Sequence, residues 1–349
     1  VIARRVLRAD LSREPIAGLV LAHDVREETG RARFAKGHIL TEDDRETLGA
    51  LDWPELHLIA LEPSELHEAE AGQTIANAVN GSGCVVGTLG GGHWPIAATV
   101  RGVVQVDVPT LDAINAIEGL CVYTLYDGQI VDAGEVVGRA KIIPLAIARH
   151  SVETGRTLAA TRGGVVRVRA FQPLRVGAVV QESLGDRALA RFRSALDEKL
   201  SWLGAQALEP LFVPAERGAL AAGLRESQSR GAAIIAVAGA RAMDPLDPTF
   251  GAVRDIGGRI VRQGVPAHPG SLCWIARTPS STIVGMPSCG LFSRATVFDL
   301  LLPRLLIGDS LDAAELARLG HGGFLTPAMA YRFPPYRQAR ARGAIDDSE

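Results

Sequence analysis

Lysine is nearly absent from this 349-residue chain: only Lys36, Lys141 and Lys199 occur, so its basic side chains are almost all arginine, a bias of coding rather than a sign of anion binding. No charge of either sign is in excess. A formal net charge of −2 and a pI near 6.5 exclude the electrostatic footprint of a nucleic-acid-binding protein. The four cysteines, Cys84, Cys121, Cys273 and Cys289, form no C-x-x-C and have no histidine at zinc-ligand spacing, which excludes a zinc ribbon and a disulfide scaffold. They fit a reducing compartment. There is no signal-peptide pattern and no apolar run long enough to span a bilayer, so the expectation is a cytoplasmic protein without a membrane partner. Internal repeats are also missing, and the first residue is Val, which fits either a trimmed fragment or an alternative start codon.

A composition of 47% hydrophobic and 22% charged residues suits globular domains with real cores, and the length allows two or three of them. Residues 1–62 read as a small mixed α/β unit. Leu19–Val25 and Leu56–Leu61 are strand-like, and Thr41 with Asp44 three residues later signals a helix start. The few apolar positions of that helix, Leu48 and Leu51, call for a partner surface elsewhere. The acidic stretch Glu62–Glu70 reads as a linker or short surface helix. Residues 63–160 form a β-rich domain, with strands at Cys84–Val86, Ala97–Val108, Cys121–Leu125 and Lys141–Ala148, a helix-like interruption at Asp107–Gly119, and Asp127-Gly128 as its clearest hairpin turn. Gly90-Gly91-Gly92-His93-Trp94 lacks the Lys-Ser/Thr of a phosphate loop and reads as a mobile loop.

After a polar connector at Glu153–Gly164 the pattern changes. Arg175–Ser183, Leu208–Val213 and Ala232–Ala238 read as strands, separated by helices at Asp186–Leu203 and Glu216–Arg230. This βαβαβ order predicts an open, mostly parallel sheet with helices on both faces over residues 170–308. Arg259–Gly264, Ser271–Ala276 and Thr282–Val284 extend the sheet and Phe292–Ile307 closes it with a helix. Residues 309–349 hold one more helical stretch, Leu311–Leu319, and a Gly-, Pro- and Arg-rich tail expected to be disordered.

Ligands of open α/β sheets bind at the carboxyl ends of the strands, so three loops are candidates. In Ser183-Leu184-Gly185-Asp186, the aspartate either caps a helix or faces a ligand or divalent cation. In Gly239–Thr249, Asp244 and Asp247 either hold magnesium against a phosphorylated ligand or simply shape a loop in which Asp247 and Thr249 start the next helix. The third is a pair of turns, His268-Pro269-Gly270-Ser271 and Gly285-Met286-Pro287-Ser288-Cys289-Gly290, the second leading into an apolar helix. Cys289, in a helix-entry turn of the kind that favours a thiolate, either contacts the ligand or is structural, the latter being the default, and His150 and His268 read as surface histidines.

The order and spacing of these elements resemble the molybdopterin-binding domain shared by molybdopterin adenylyltransferases and molybdopterin molybdotransferases. The resemblance covers Arg175–Ile307 and is clearest over Asp255–Leu306. Ile256–Gly258, Gly264-Val265 and Pro269-Gly270 match the family's Gly-Gly, Gly-Val and Pro-Gly run, and Gly285–Gly290 its Gly-Leu-Pro-Gly-Asn-Pro turn. Gly18–Val25 and Arg33–Leu61 resemble the amino-terminal part of the molybdotransferases. The departures are specific: Ala238-Gly239 replaces a Gly-Gly pair, Arg241 a small residue, and Arg187 the glutamate of a Gly-Asp-Glu turn. Asp247-Pro248-Thr249 stands for an Asp-x-Thr element, and Ser288, Cys289 and Gly290 for Gly, Asn and Pro.

What the resemblance implies is a molybdopterin-binding protein of molybdenum cofactor biosynthesis, transferase-like, with molybdopterin as ligand or substrate and magnesium on its phosphate. Asp186 and Asp247 would be catalytic, and Asp186, Asp244 and Asp247 would hold the metal. Ser183, Gly185, Gly239, Arg241, Thr249, Pro269, Gly270, Pro287 and Ser288 would bind the pterin. A homo-oligomer and other cofactor-assembly proteins would be its partners. Each departure removes backbone freedom or a polar ligand, which makes binding more secure than catalysis. Two other readings stay open: a carrier or sensor without catalysis, and a nucleotide pyrophosphatase on the same fold.

Overall fold

The computed structural model describes residues 1–160, 163–181, 186–286 and 296–334. The chain divides into two units, one of Val1–Val100, Gln105–Asp127 and Ala133–Val168, the other of Arg101–Val104, Gly128–Asp132 and Arg169–Glu349.

The first unit begins with β1 (Ile2–Leu7), β2 (Val20–Leu21), β3 (Val25–Arg26), β4 (Ala32–Phe34), α1 (Asp44–Ala50) and β5 (Glu55–Ala60). In β5, buried Leu56 and Leu58 alternate with exposed His57, the period that a one-sided strand requires. It lies between β1 and β2 in an antiparallel sheet. Leu48 of α1 is fully buried, but against neighbours in its own segment: Val6, Leu11, Ile16, Leu21, Leu40 and Trp53. Sequence periodicity hides this core because loop residues such as Leu11, Ile16 and Leu40 supply much of it.

The chain continues through β6 (Glu65–His67), α2 (Glu68–Val79), β7 (Cys84–Val86), β8 (Trp94–Ala98), β9 (Gly102–Val106), α3 (Val108–Asn115), β10 (Leu120–Thr124), β11 (Ile130–Val131), β12 (Val136–Ile142), β13 (Ala146–Ala148), α4 (Arg149–Ala160) and β14 (Val166–Ala170). Strands β10, β12, β8 and β7 pair in that order, all antiparallel. The acidic segment read as a linker or short surface helix contains β6 and opens α2, which buries Ala71, Gly72, Ile75, Ala76 and Val79 along one face. Trp94 lies over Gly72, where a Cβ would overlap its ring, and its indole N–H donates to Gln73 Oε1 at 3.0 Å.

Most of the expected connector at Glu153–Gly164 belongs to α4, which buries only Val152, Gly155 and Ala159. A stripe of such small residues gives little hydrophobic signal. The Asp127-Gly128 turn does not close a hairpin, because β10 pairs with β12 whereas β11 pairs with β9. Asp127 instead accepts the Val106 N–H at 2.9 Å. The glycine run forms a closed turn in which Gly90 and His93 exchange both backbone hydrogen bonds at 3.0 Å.

In the second unit, β15 (Arg175–Val180), α5 (Asp186–Trp202), β16 (Gln206–Ala207), β17 (Leu211–Phe212), α6 (Arg217–Ser229), β18 (Ala232–Ala238), α7 (Pro248–Asp255), β19 (Arg259–Gln263), β20 (Trp274–Arg277) and β21 (Thr282–Met286) precede α8 (Val297–Leu306) and α9 (Ala313–Arg318). The strands form one sheet in the order β16-β15-β18-β21-β20-β19, with β17 also paired to β15. Pairing is parallel from β16 and β17 through β15 and β18 to β21, and antiparallel for β20 and β19.

Both faces are covered. Val176, Ala178 and Val180 join Phe192, Leu196 and Leu200 of α5 and Leu301, Leu302 and Leu305 of α8 in one core. Val179 and Val237, pointing the other way, meet Leu220 and Leu224 of α6 and Phe250 and Val253 of α7. The open, mostly parallel sheet with helices on both faces is the fold expected from the βαβαβ order. A buried ion pair fastens the first face: Lys199 Nζ of α5 lies 2.6 Å from Asp299 Oδ1 of α8. The other oxygen of Asp299 accepts from the Thr296 N–H and hydroxyl, both at 3.0 Å, and caps α8.

Candidate functional site

From β15 the chain crosses through α5 to β16 and β17 on one side of the sheet, then returns through α6 to β18 on the other. Strand order therefore reverses between β15 and β18, the kind of switch point at whose carboxyl ends open α/β sheets bind ligands. The register places further segments on the same edge. Val180 is level with Ala238, and Ala238 with Met286. Antiparallel Trp274 is level with Gly285 and with Gln263, so the β19–β20 connection, which contains Pro269 and Gly270, also emerges at that edge.

The loop after β18 is built around Asp247. Gly239 has a φ of +95°, a conformation that costs a side-chain-bearing residue about 1–2 kcal/mol, and it turns the chain out of the strand. Asp247, 7% exposed, returns it: one oxygen accepts the Thr249 N–H at 2.8 Å as the N-cap of α7, and the other accepts the Arg241 N–H at 2.7 Å. Asp244 Oδ1 accepts the Leu246 N–H at 2.9 Å. Thr249 is fully buried, and its hydroxyl accepts from the Gln181 side-chain amide at 2.5 Å. The Gln181 backbone N–H donates to the Ala238 carbonyl at 3.0 Å. Gln181 thus bridges the reversal point, and sequence reading passed over it because it looks like the polar end of an apolar run.

Outward from this loop stand groups of another kind. Arg241 is exposed, and no ion pair holds it among the described residues. Met243 and Leu246 are 80% and 88% exposed, two apolar side chains that nothing in the loop requires. Pro269 and Gly270 reach the start of α8. The Pro269 carbonyl accepts the Val297 N–H at 3.2 Å, and Gly270, with a φ of +115°, comes so near Val297 that a Cβ would lie 2.9 Å from that side chain.

Gln181, Gly239, Arg241, Thr249, Asp244 and Asp247 therefore gather at the reversal point, with Pro269 and Gly270 on the same edge. Ser183, Gly185, Pro287, Ser288 and Cys289 lie outside the described residues. Asp186 is the first residue of α5, and its side chain lies outside the description as well. Among the described residues no group of three His, Cys, Asp or Glu side chains is arranged to hold a metal ion. Asp247 accepts one backbone N–H on each oxygen, so a cation there would share the carboxylate with those two donors. Two of the described cysteines are poorly placed for thiolate chemistry: burial pushes the Cys273 thiol up to about 12 and that of Cys84 up to about 11. No helix among the described residues is long and apolar enough to cross a membrane.

No family model and no curated protein matches the sequence. Among solved structures the chain is similar to a molybdopterin biosynthesis MoeA protein of Pyrococcus horikosii, at 14% identity over 68% of this chain and 78% of that one, with a TM-score of 0.31. It is also similar to the molybdopterin biosynthesis enzyme MoaB of Thermus thermophilus, at 19% identity over 39% of this chain and 98% of that one, TM-score 0.29. A third is a putative molybdenum cofactor biosynthesis protein of Corynebacterium diphtheriae, at 16% identity over 40% and 99%, TM-score 0.27.

Proposed function

We propose that the second unit binds a phosphorylated pterin of the molybdopterin type at the β15–β18 reversal point and serves in molybdenum cofactor biosynthesis. One observation carries this reading: the loop motifs that resemble the molybdopterin-binding family, Gly239–Thr249 and Pro269-Gly270, emerge on a single sheet edge at its topological switch. In this reading Arg241 takes the phosphate, a task that suits a guanidinium. Its backbone is fixed by Asp247, so the charge is delivered without first ordering the loop. Met243 and Leu246 offer apolar contact to a flat ring.

The same geometry favours the carrier over the transferase. Asp247 shapes the loop and caps α7, which leaves Asp186 as the carboxylate on which catalysis would rest; no step is assigned to magnesium. Titration of the purified chain with molybdopterin and with ADP-ribose tests the reading. Molybdopterin should bind, and Arg241→Ala should weaken it about tenfold or more, the value of a charge-assisted contact. Binding of ADP-ribose alone would favour the nucleotide pyrophosphatase, and binding of neither would end the proposal. Asp186→Ala then separates carrier from transferase, since cofactor formation in vitro should be unaffected in a carrier.

A further inference from the structure

The first unit contains a cavity of about 420 Å³ between the turn that follows β4, helix α1, the start of α2 and Leu89. Small-molecule pockets run from roughly 300 to 1,000 Å³, so this one has the size for a nucleotide-like ligand. Its polar groups fall into two sets.

The first set builds the wall and is satisfied within it. His67 Nδ1 accepts the Ala69 N–H at 3.1 Å and Nε2 donates to the Gly37 carbonyl at 2.9 Å, which fixes the orientation of the ring. Asp44 accepts from the Thr41 N–H at 2.8 Å and hydroxyl at 3.0 Å, and pairs with His38 Nε2 at 3.0 Å.

The second set lines the cavity with nothing to bind. Neither Glu68 nor Arg33 nor Lys36 has a side-chain hydrogen bond or ion pair among the described residues. Glu68 is half-buried and lies against Gly37, where a Cβ would overlap its Oε1; Gly37, at a φ of +82°, is what admits the carboxylate. Burial pushes this carboxyl up, against the nearby His67, Lys36 and Lys141. A carboxylate kept partly dry without a donor is costly, and two cations in the same cavity leave it unpaired.

The charges select the ligand. Arg33 and Lys36 line the same cavity as Glu68, so a cationic ligand for Glu68 would face two like charges. A neutral edge with two adjacent N–H donors satisfies the carboxylate without doing so, and an anionic group answers the two cations. We infer that this cavity binds a small molecule that presents an aminopyrimidinone edge, as guanine and pterins do, to Glu68 and a phosphate to Arg33 and Lys36. The site belongs to the first unit and does not depend on the function proposed for the second.

Calorimetric titration of the full chain with GMP, IMP, AMP and neopterin monophosphate tests the inference. IMP lacks the 2-amino group and AMP the paired donors, so at least one of GMP and neopterin monophosphate should bind about tenfold or more tighter than both. Glu68→Gln should abolish that preference, and Lys36→Ala should weaken binding about fivefold or more with a smaller salt dependence. In an Arg241→Ala background, which weakens any pterin held by the second unit, the Glu68-dependent preference should persist. Both substitutions fall on side chains without structural partners, so the fold survives them. Whichever of GMP and neopterin monophosphate binds tighter names the ring. Equal affinity for GMP, IMP and AMP, no binding of GMP or the pterin, or a preference that survives Glu68→Gln would each overturn the inference.

Discussion

The loop edge of the second unit and the cavity of the first are both rich in polar groups, yet they treat them in opposite ways. Around Gly239–Thr249 the carboxylates and hydroxyls are closed on the chain itself: Asp247 on two backbone N–H groups, Asp244 on one, Thr249 on Gln181. In the cavity Glu68, Arg33 and Lys36 remain open. A closed polar group is measured by the stability lost when it is removed, and an open one by the ligand lost. Residue type alone does not distinguish them, since an aspartate in a Gly/Pro loop suggests chemistry more readily than a glutamate at the start of a surface helix.

The comparison can be broken at either end. The closed side should show its largest effect at the buried pair: Lys199→Met takes the cation away from a fully buried carboxylate, and should cost about 3–5 kcal/mol in urea unfolding. Adding Asp299→Leu should recover part of that, because an apolar pair removes the buried charge but also loses the Thr296 capping bonds. Next comes Asp247→Ala, which deletes an N-cap and a second charge-assisted bond; a loss of about 2–3 kcal/mol is expected, together with weaker pterin binding. Thr249→Val should cost about 1 kcal/mol through the lost Gln181 contact, read from the same unfolding curves. A change near zero at Asp247 would move that residue to the open class.

The open side should show almost no stability effect. Glu68→Gln should lie within about 0.5 kcal/mol of the parent at neutral pH, or above it. Its pH dependence sharpens the contrast. Because burial raises the Glu68 carboxyl above its ordinary value of 4.5, the folded chain binds that proton more tightly than the unfolded one. Stability from this group is greatest below the ordinary value and falls as pH rises through it toward the raised one. Glu68→Gln should remove that fall. Asp44 has the opposite sign: burial opposes it, but the Thr41 and His38 hydrogen bonds outweigh burial and hold it low. Its contribution is present above the unfolded value and lost as pH drops, so Asp44→Asn should flatten the acid limb.

Much of the second unit was legible in the sequence because continuous apolar strands and amphipathic helices have strong periods. Ala232–Ala238 forms β18 over the residues read as a strand, and α5 and α6 fall where expected. The first unit was harder. α4 buries a stripe of small residues, and α2 begins in an acidic stretch whose apolar face starts only at Ala71. For the site, the sequence offered both a capping and a metal-binding aspartate at Asp247. The choice depends on where the Arg241 N–H lies, a contact made by loop geometry that no spacing rule supplies. Gln181 was missed for the same reason, as its partner is 68 residues away.

Trp274 begins β20 in the row of the sheet beside the loop edge, with its ring across Gly285 and edge-to-face on Phe250. Its indole N–H has no hydrogen-bond partner among the described residues, and the side chain is fully buried. Of the four tryptophans, Trp53 and Trp94 lie in the first unit, and Trp202 sits under the Arg101 guanidinium at 4.3 Å. Trp274 is therefore a built-in optical probe: a dry, unbonded indole emits toward the blue, and its light should shift when the loop edge takes its ligand and stay constant when the cavity of the first unit does.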